Sequence, residues 1–279
     1  EDAWAYSPCF ELDSLSRPLI CLDYWSDTRA RVDGAILEYQ KADGSWAPLG
    51  ELDRGINWFN EDFIAGQPGD AHLPPLGWAG PSTAWTNGRY KLDGYTGANN
   101  VLRLRLAFGS SQVPTTDFYD GFAFDNVWIG DRTRNVLLET TSNIGQPSMT
   151  NINAHVYNLI FHTNLNKDVT MLQYHTEAPD ASDQFYLNME NIADLRTFDY
   201  GSDEAGRAYV DGSFIDFASA LTDADFEMDM LEDPKFDIQI HNGLQYLPAQ
   251  RTFTLSATVT ALEDMPELNY RIYTTITED

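Results

Sequence analysis

The sequence predicts a multidomain β and α/β chain, with an all-β part over residues 1–133 and an α/β part over residues 134–279. Three observations predict it. Up to Gly130, short alternating or β-branched runs are separated by turn signals, and almost nothing repeats with a 3.6-residue period. After Asp131, apolar strand-like runs alternate with helix-period segments, which is the pattern of a parallel β-α-β unit. The last 45 residues return to alternation. A chain of 279 residues is long enough for two domains with sizeable cores.

In the all-β part, Pro18 to Trp25 is a strand-like run. Gly34 to Tyr39, an Asp43-Gly44 turn and Trp46 then make a hairpin pattern. Val101 to Phe108 alternates leucine with arginine, which predicts leucines in the core and arginines on an open face. The stretch from Asn60 to Asn87 is rich in Gly, Pro and Trp, and Trp58, Trp78 and Trp85 stand in or beside it. Long loops in compact domains often carry function, so these tryptophans either form a platform for a sugar or peptide or plug the open ends of the core. Cys9 and Cys21 lie in neighbouring strand-like runs. They either form an extracellular disulfide or serve as small buried hydrophobes.

In the α/β part, Asn135 to Glu139 is a short apolar strand. From Ser148 onward, Ile152, Val156, Leu159 and Ile160 share one helical face, with Ser148, Thr150 or Asn151 available as N-cap. That helix ends near Asn164. Val169 to Tyr174 is a second strand, and Phe185, Tyr186, Met189, Ile192 and Leu195 mark a second helix. Arg207 to Gly212 supplies a strand and a turn, and Ala218 to Leu231 an acidic helix stopped by Pro234. Alternation around Ile238, Leu255 and Ile272 then predicts three antiparallel strands with one apolar face. The joint from Asp131 to Arg134 is short, so the two parts are expected to pack together.

The formal net charge is −26, which repels phosphate backbones and anionic headgroups and makes nucleic acid an unsuitable partner. No apolar run approaches the ~20 residues of a membrane span, so no direct membrane insertion is expected. The charge is uneven: residues 1–134 hold 19 acids against 11 bases, and residues 135–279 hold 24 against 6. This excess is either a solvated acidic surface or a means of holding cations. The chain has no initiator Met and opens inside a strand-like run, which suggests a trimmed segment of a larger chain or surface assembly.

Particular stretches carry a resemblance. Ser7 to Pro18, Leu22 to Asp27, Asp33 to Tyr39, Gly55 to Asn60 and Gly121 to Ile129 resemble, in order, the MAM-like jelly rolls of secreted Bacteroidota proteins, including the cleaved adhesin domains of gingipain-type proteins. The resemblance implies a jelly-roll β-sandwich and an adhesive or carbohydrate-contacting role, with a protein or glycan ligand. It also implies structural calcium (Ca2+) near the Phe-Asp-Asn motif. Asp125 matches that motif, and Asp2 and Asp120 could add oxygens to the six to eight that calcium takes.

Arg134 to Ser142, the helix carrying Val156 to Leu159, Asp168 to His175 and Arg207 to Gly212 resemble the outer-membrane thioredoxin-like family of Bacteroidota, in which a β segment is inserted before the fold closes. By that resemblance residues 235–279 are the insertion, and the final returning strand and helix fall outside this segment. Thioredoxin chemistry needs a Cys-x-x-Cys at the head of the first helix, where the helix N-terminus lowers the thiol pKa. Here Ile144-Gly-Gln-Pro-Ser148 occupies that loop, and Gly145 and Ser148 stand in the cysteine positions. Gly206 stands where the family places its cis-proline. The resemblance therefore implies a degenerate, non-catalytic thioredoxin-like domain.

Other chemistry is weakly signalled. His155 and His162 could share a helical face but have no third metal ligand. Ser148 with His175 as base has no elbow or oxyanion-hole motif. The sequence as a whole implies a non-catalytic, secreted or cell-surface adhesion or scaffolding segment, exported by the type IX route by family habit. Two alternatives stand beside it: an accessory region of a larger hydrolase, and a redox-inactive peptide holder with an apolar groove beside Ile144 and Gly206.

Overall fold

The computed structural model describes residues 2–69, 75–97, 100–111, 117–247 and 252–265. The chain divides into two compact units, Glu1–Glu232 and Asp233–Asp279.

The first unit opens with eight strands: β1 (Asp2–Glu11), β2 (Pro18–Asp27), β3 (Gly34–Gln40), β4 (Trp46–Pro48), β5 (Trp78–Ala79), β6 (Thr86–Lys91), β7 (Val101–Gly109) and β8 (Gly121–Asp131). They make two antiparallel sheets, one in the order β1-β7-β3-β4 with β5 beside β3, the other in the order β6-β2-β8. Ile20, Leu22 and Tyr24 of β2 and Leu102, Leu104 and Leu106 of β7 belong to one buried cluster that the sheets enclose. Period-two alternation selects these residues, because it sends every second side chain to the same face.

The arginines of β7 do not all stand on an open face. Arg105 is buried, and its Nε donates to Oε2 of the fully buried Glu38 across the strand pair at 2.5 Å. Its guanidinium also sits 4.5 Å from the centroid of the Trp46 ring. The loop at Gly69 closes over the same spot, where an added Cβ would come 2.7 Å from the Glu38 carboxyl. A central strand covered on both faces thus needs a charge partner for its inward arginine.

The α/β part follows: β9 (Val136–Ser142), α1 (Met149–His162), β10 (Val169–His175), α2 (Gln184–Tyr200), β11 (Arg207–Val210), β12 (Ser213–Phe217) and α3 (Ala224–Leu231). The sheet order is β10-β9-β11-β12, with β10 parallel to β9, and β11 antiparallel to both β9 and β12. Asp211 and Gly212 join β11 to β12 with φ of 46° and 86°, the positive pair that a two-residue hairpin turn requires. α3 is shorter than the sequence pattern suggests. The Ala218 amide is drawn to the Gly206 carbonyl at 2.7 Å, and the helix starts only after Thr222 bonds Asp225.

β12 and α3 lie in the first unit, and the terminal strands follow them in the second. In the second unit β13 (Phe236–Leu247) and β14 (Thr252–Ala261) pair antiparallel with each other. The strand expected around Tyr270 to Ile276 lies outside the described residues.

A seam of charge holds the antiparallel part to the α/β part. Arg132 is 2% exposed and grips Asp168, also 2% exposed, with two bonds of 3.1 and 2.7 Å, while its third nitrogen donates to Asp93 at 2.6 Å. Arg54 bonds Asp223 at 2.8 Å and also Glu227 of α3, and Lys91 approaches the same two acids. Bidentate guanidinium–carboxylate pairing fixes orientation as well as proximity. Part of the acid excess after residue 134 therefore serves as the counter-surface for bases of the first part. No helix among the described residues is long and apolar enough to cross a membrane.

Candidate functional site

β9 and β10 run parallel, so both end at the same edge of the sheet, the edge where α/β folds place ligands. From there residues 143–148 lead into α1 and residues 176–183 into α2. Asn143, fully buried, joins the two connections. Its Nδ2 donates to the carbonyls of Thr176 (2.7 Å) and Asp180 (3.0 Å), and its Oδ1 accepts from the amides of Gly145 (2.8 Å) and Asp180 (3.2 Å). An amide side chain carries donors and an acceptor on one head, so it can serve both loops at once.

Asp183 is also fully buried. One oxygen caps α2 by accepting from the amides of Phe185 (2.8 Å) and Tyr186 (3.4 Å). The other accepts from the Ile144 amide (3.0 Å) and from Nδ1 of His175 (2.7 Å). Burial pushes this carboxyl up, but the bonds from His175, Ile144 and Phe185 outweigh it and hold the pKa below the usual carboxylate value. An ionised carboxylate only accepts, so Nδ1 of His175 carries its hydrogen. The His175 ring packs on Phe185 with centroids 4.8 Å apart.

A histidine oriented by a buried carboxylate is two thirds of a nucleophile, base and orienter arrangement. The nucleophile is not in place. Ser148 is exposed at the head of α1, and among the described residues no hydrogen bond links it to His175. Gly145 is crowded: a Cβ there would stand 2.5 Å from Cβ of Asp180 and 3.0 Å from Oδ1 of Asn143. Real Cβ contacts are essentially never so short, so any side chain at 145 requires the loop at Asp180 to move. Gly206 is buried with φ +91°, a backbone that proline cannot adopt, and the cis peptide bond of this region lies at Ala178–Pro179.

The other residues singled out by sequence are scattered. Trp58 and Trp78 are 3% and 1% exposed and meet edge to face in the core, which removes them from any ligand, whereas Trp85 is 55% exposed. Cys9 is a free, exposed thiol, and no disulfide joins it to Cys21. The reason is topological: β1 and β2 belong to different sheets, and each cysteine alternates with inward neighbours such as Phe10 and Leu22. Asp125 faces Asp23 in the β2/β8 pair, the Asp120 amide donates to Asp27 at 3.1 Å, and Asp2 lies on the other sheet with its side chain outside the described residues. Among the described residues no group of three or more His, Cys, Asp or Glu is placed to hold a metal ion. His155 bonds the Leu221 carbonyl at 2.9 Å, a packing contact.

Asn143, Asp180 and Asp183 were not anticipated. Only Asp183 left a local signal, a cap-type residue just before Gln184-Phe-Tyr186. Comparison with protein-family models gives no match, and neither does comparison with curated proteins.

A second polar cluster lies under α2. Glu139 of β9 is 1% exposed and receives Nε and Nη2 of Arg196 at 2.7 and 2.5 Å, together with the Tyr200 hydroxyl. Burial pushes its carboxyl up, but Arg196 and the hydroxyls of Tyr200 and Tyr174 bring it below its ordinary value. Burial and the Glu139 charge push the Tyr174 hydroxyl up to about 12. Tyr200 stacks on Tyr209 at 3.8 Å, and the cleft these groups line has no room for a water-sized guest.

Proposed function

We propose that this chain is a non-catalytic adhesion or scaffolding segment of a secreted or cell-surface protein, in which a MAM-like jelly roll leads into a degenerate thioredoxin-like frame. The observation that carries the reading is the crowding at Gly145. A β-α-β unit followed by a third strand, a returning strand and a closing helix supports the thioredoxin-like outline. In that outline the head of α1 is where a thiol would attack, and here the Asp180 loop fills the space a cysteine side chain needs. The buried bonds of Asn143 and Asp183 tie that loop down, so the head of α1 serves as a structural corner.

The test is a disulfide-exchange assay on the Cys9→Ser protein, which removes the exposed thiol. The rate of reduction of a model disulfide by dithiothreitol should equal the rate without protein. The double variant Gly145→Cys/Ser148→Cys should stay near that background as well, because the added Cβ displaces the Asp180 loop. Turnover above background in the Cys9→Ser protein would refute the reading. The adhesive half is tested by probing the full chain on glycan and peptide arrays. A peptide-holding role is the second reading, favoured by Ile144, which is 56% exposed at the head of α1. It requires that Ile144→Asp abolish binding of unfolded peptide.

A further inference from the structure

Helix α2 is turned inside out. Toward the sheet it presents Arg196 and Tyr200 to the buried Glu139, and only Tyr186 and Ala193 are fully buried. Beyond the kink at Met189 it presents Ile192, Leu195 and Phe198 away from the sheet, which are 51, 57 and 81% exposed. Ile192, Leu195 and Phe198 follow at three-residue spacing and so form one continuous ridge. Packing on the sheet cannot explain that ridge, because the sheet side of the helix is satisfied by the polar cluster. Contiguous exposed apolar surface of this kind marks an interaction site.

Charge selects the occupant. The exposed acids of α2 are Glu190, Asp194 and Asp199, and its one base, Arg196, is shared between the buried Glu139 and Asp199, the latter at 3.6 Å. Asp194 accepts from the Tyr186 hydroxyl at 2.9 Å and Glu204 beyond the helix end pairs with Arg207, so the local excess of acid rests on Glu190, Asp194 and Asp203. A second copy would set these acids against their own kind, and an anionic lipid surface would be repelled in the same way. A basic amphipathic peptide helix satisfies both features, with apolar side chains on the ridge and lysines or arginines beside the acids. We propose that the outer face of α2 docks a basic amphipathic helix of a partner protein. This goes beyond the reading above, since the face would bind whether or not the head of α1 is catalytic.

The experiment measures binding of a fluorescent Lys/Leu amphipathic peptide to the full chain by anisotropy, beside a Lys/Ser peptide of equal charge and a Glu/Leu peptide of equal apolarity. The Lys/Leu peptide should bind at least tenfold more tightly than either control, and more weakly as salt rises. Leu195→Ser/Phe198→Ser should weaken it at least tenfold, with an unchanged circular dichroism spectrum. The conservative Leu195→Met should retain it. Equal binding by the Ser double variant, equal binding of the Lys/Ser peptide, or tighter binding of the Glu/Leu peptide would each overturn the proposal. So would binding to phosphatidylglycerol vesicles, or a dimer in solution that the double variant dissociates.

Discussion

The two faces of the β10-β9-β11-β12 sheet are covered by opposite chemistries. On one face α1 and α3 lay Ile152, Val156, Ile160, Phe226 and Met230 onto Val136 and Leu138 in a single apolar cluster. On the other, α2 is held by a guanidinium, a carboxylate and tyrosine hydroxyls, and its Ile192, Leu195 and Phe198 look away. Alternation along β9 divides the two chemistries, since Leu138 faces the first side and Glu139 the second. The contrast teaches that one face is held by apolar packing and the other by a buried ion pair with its hydroxyls, which leaves an apolar ridge of α2 facing outward.

The sharpest break of this contrast is in the apolar face. Phe226 is fully buried among α1, α3 and the sheet, so Phe226→Ala should cost about 3–5 kcal/mol, the usual penalty for emptying an aromatic site in a core. Urea unfolding followed by far-ultraviolet circular dichroism measures it. A loss under about 1 kcal/mol would mean that this face is not the folding core.

On the polar face the effect depends on how the charge is removed. Arg196→Ala leaves Glu139 buried without its counter-ion and should cost about 3 kcal/mol. Glu139→Leu/Arg196→Met removes both charges and should recover most of that loss, because the pair's attraction is offset by its desolvation. If the double variant is no more stable than Arg196→Ala, the cluster contributes by shape rather than by charge.

The same cluster sets a pH dependence. The Glu139 carboxyl titrates lower in the folded chain than in the unfolded chain, whose glutamates titrate near 4.3. The unfolded state therefore takes up this proton first as pH falls. The stabilisation is complete above about pH 5 and is lost as pH falls through the folded pKa. Glu139→Gln lacks this proton uptake, so the stability gap between wild type and variant should narrow between pH 6 and pH 3.5. Unfolding midpoints at the two pH values measure the gap, and a constant gap would show that the carboxylate charge is not what Arg196 holds.

Much of the apolar face was legible in the sequence. Val136 and Leu138 lie in a run that reads as an apolar strand, and Ile152, Val156 and Ile160 recur with a period that names both the helix and its buried side. α2 was legible as a helix but not in orientation. Of Phe185, Tyr186, Met189, Ile192 and Leu195, only Tyr186 is buried, because the partner that turns the helix, Glu139, is 57 residues from Arg196 and leaves no periodic trace. The candidate site divides the same way. The loop of Gly145 and Ser148 could be located from its neighbours in sequence, whereas the contacts that fill it, Asn143 to Asp180 and Asp183 to Ile144, join residues 37 and 39 apart. The tryptophans show a third case, in which composition offers two roles and only burial separates Trp58 and Trp78 from Trp85.

The smallest effect is also the most discriminating. Phe198→Ala makes the same chemical change as Phe226→Ala, but Phe198 is 81% exposed on the outer side of α2 and Phe226 is 0% exposed. If α2 keeps its apolar ridge for a partner rather than for the fold, truncating Phe198 removes little buried area, and alanine is the better helix former. Stability of the isolated chain should then change by no more than about 0.5 kcal/mol, as for surface substitutions generally. The same denaturation curve used for Phe226→Ala reads it. A loss above about 1.5 kcal/mol would mean that the ridge packs within the chain. The two faces would then differ in which neighbour they meet and not in whether they fold.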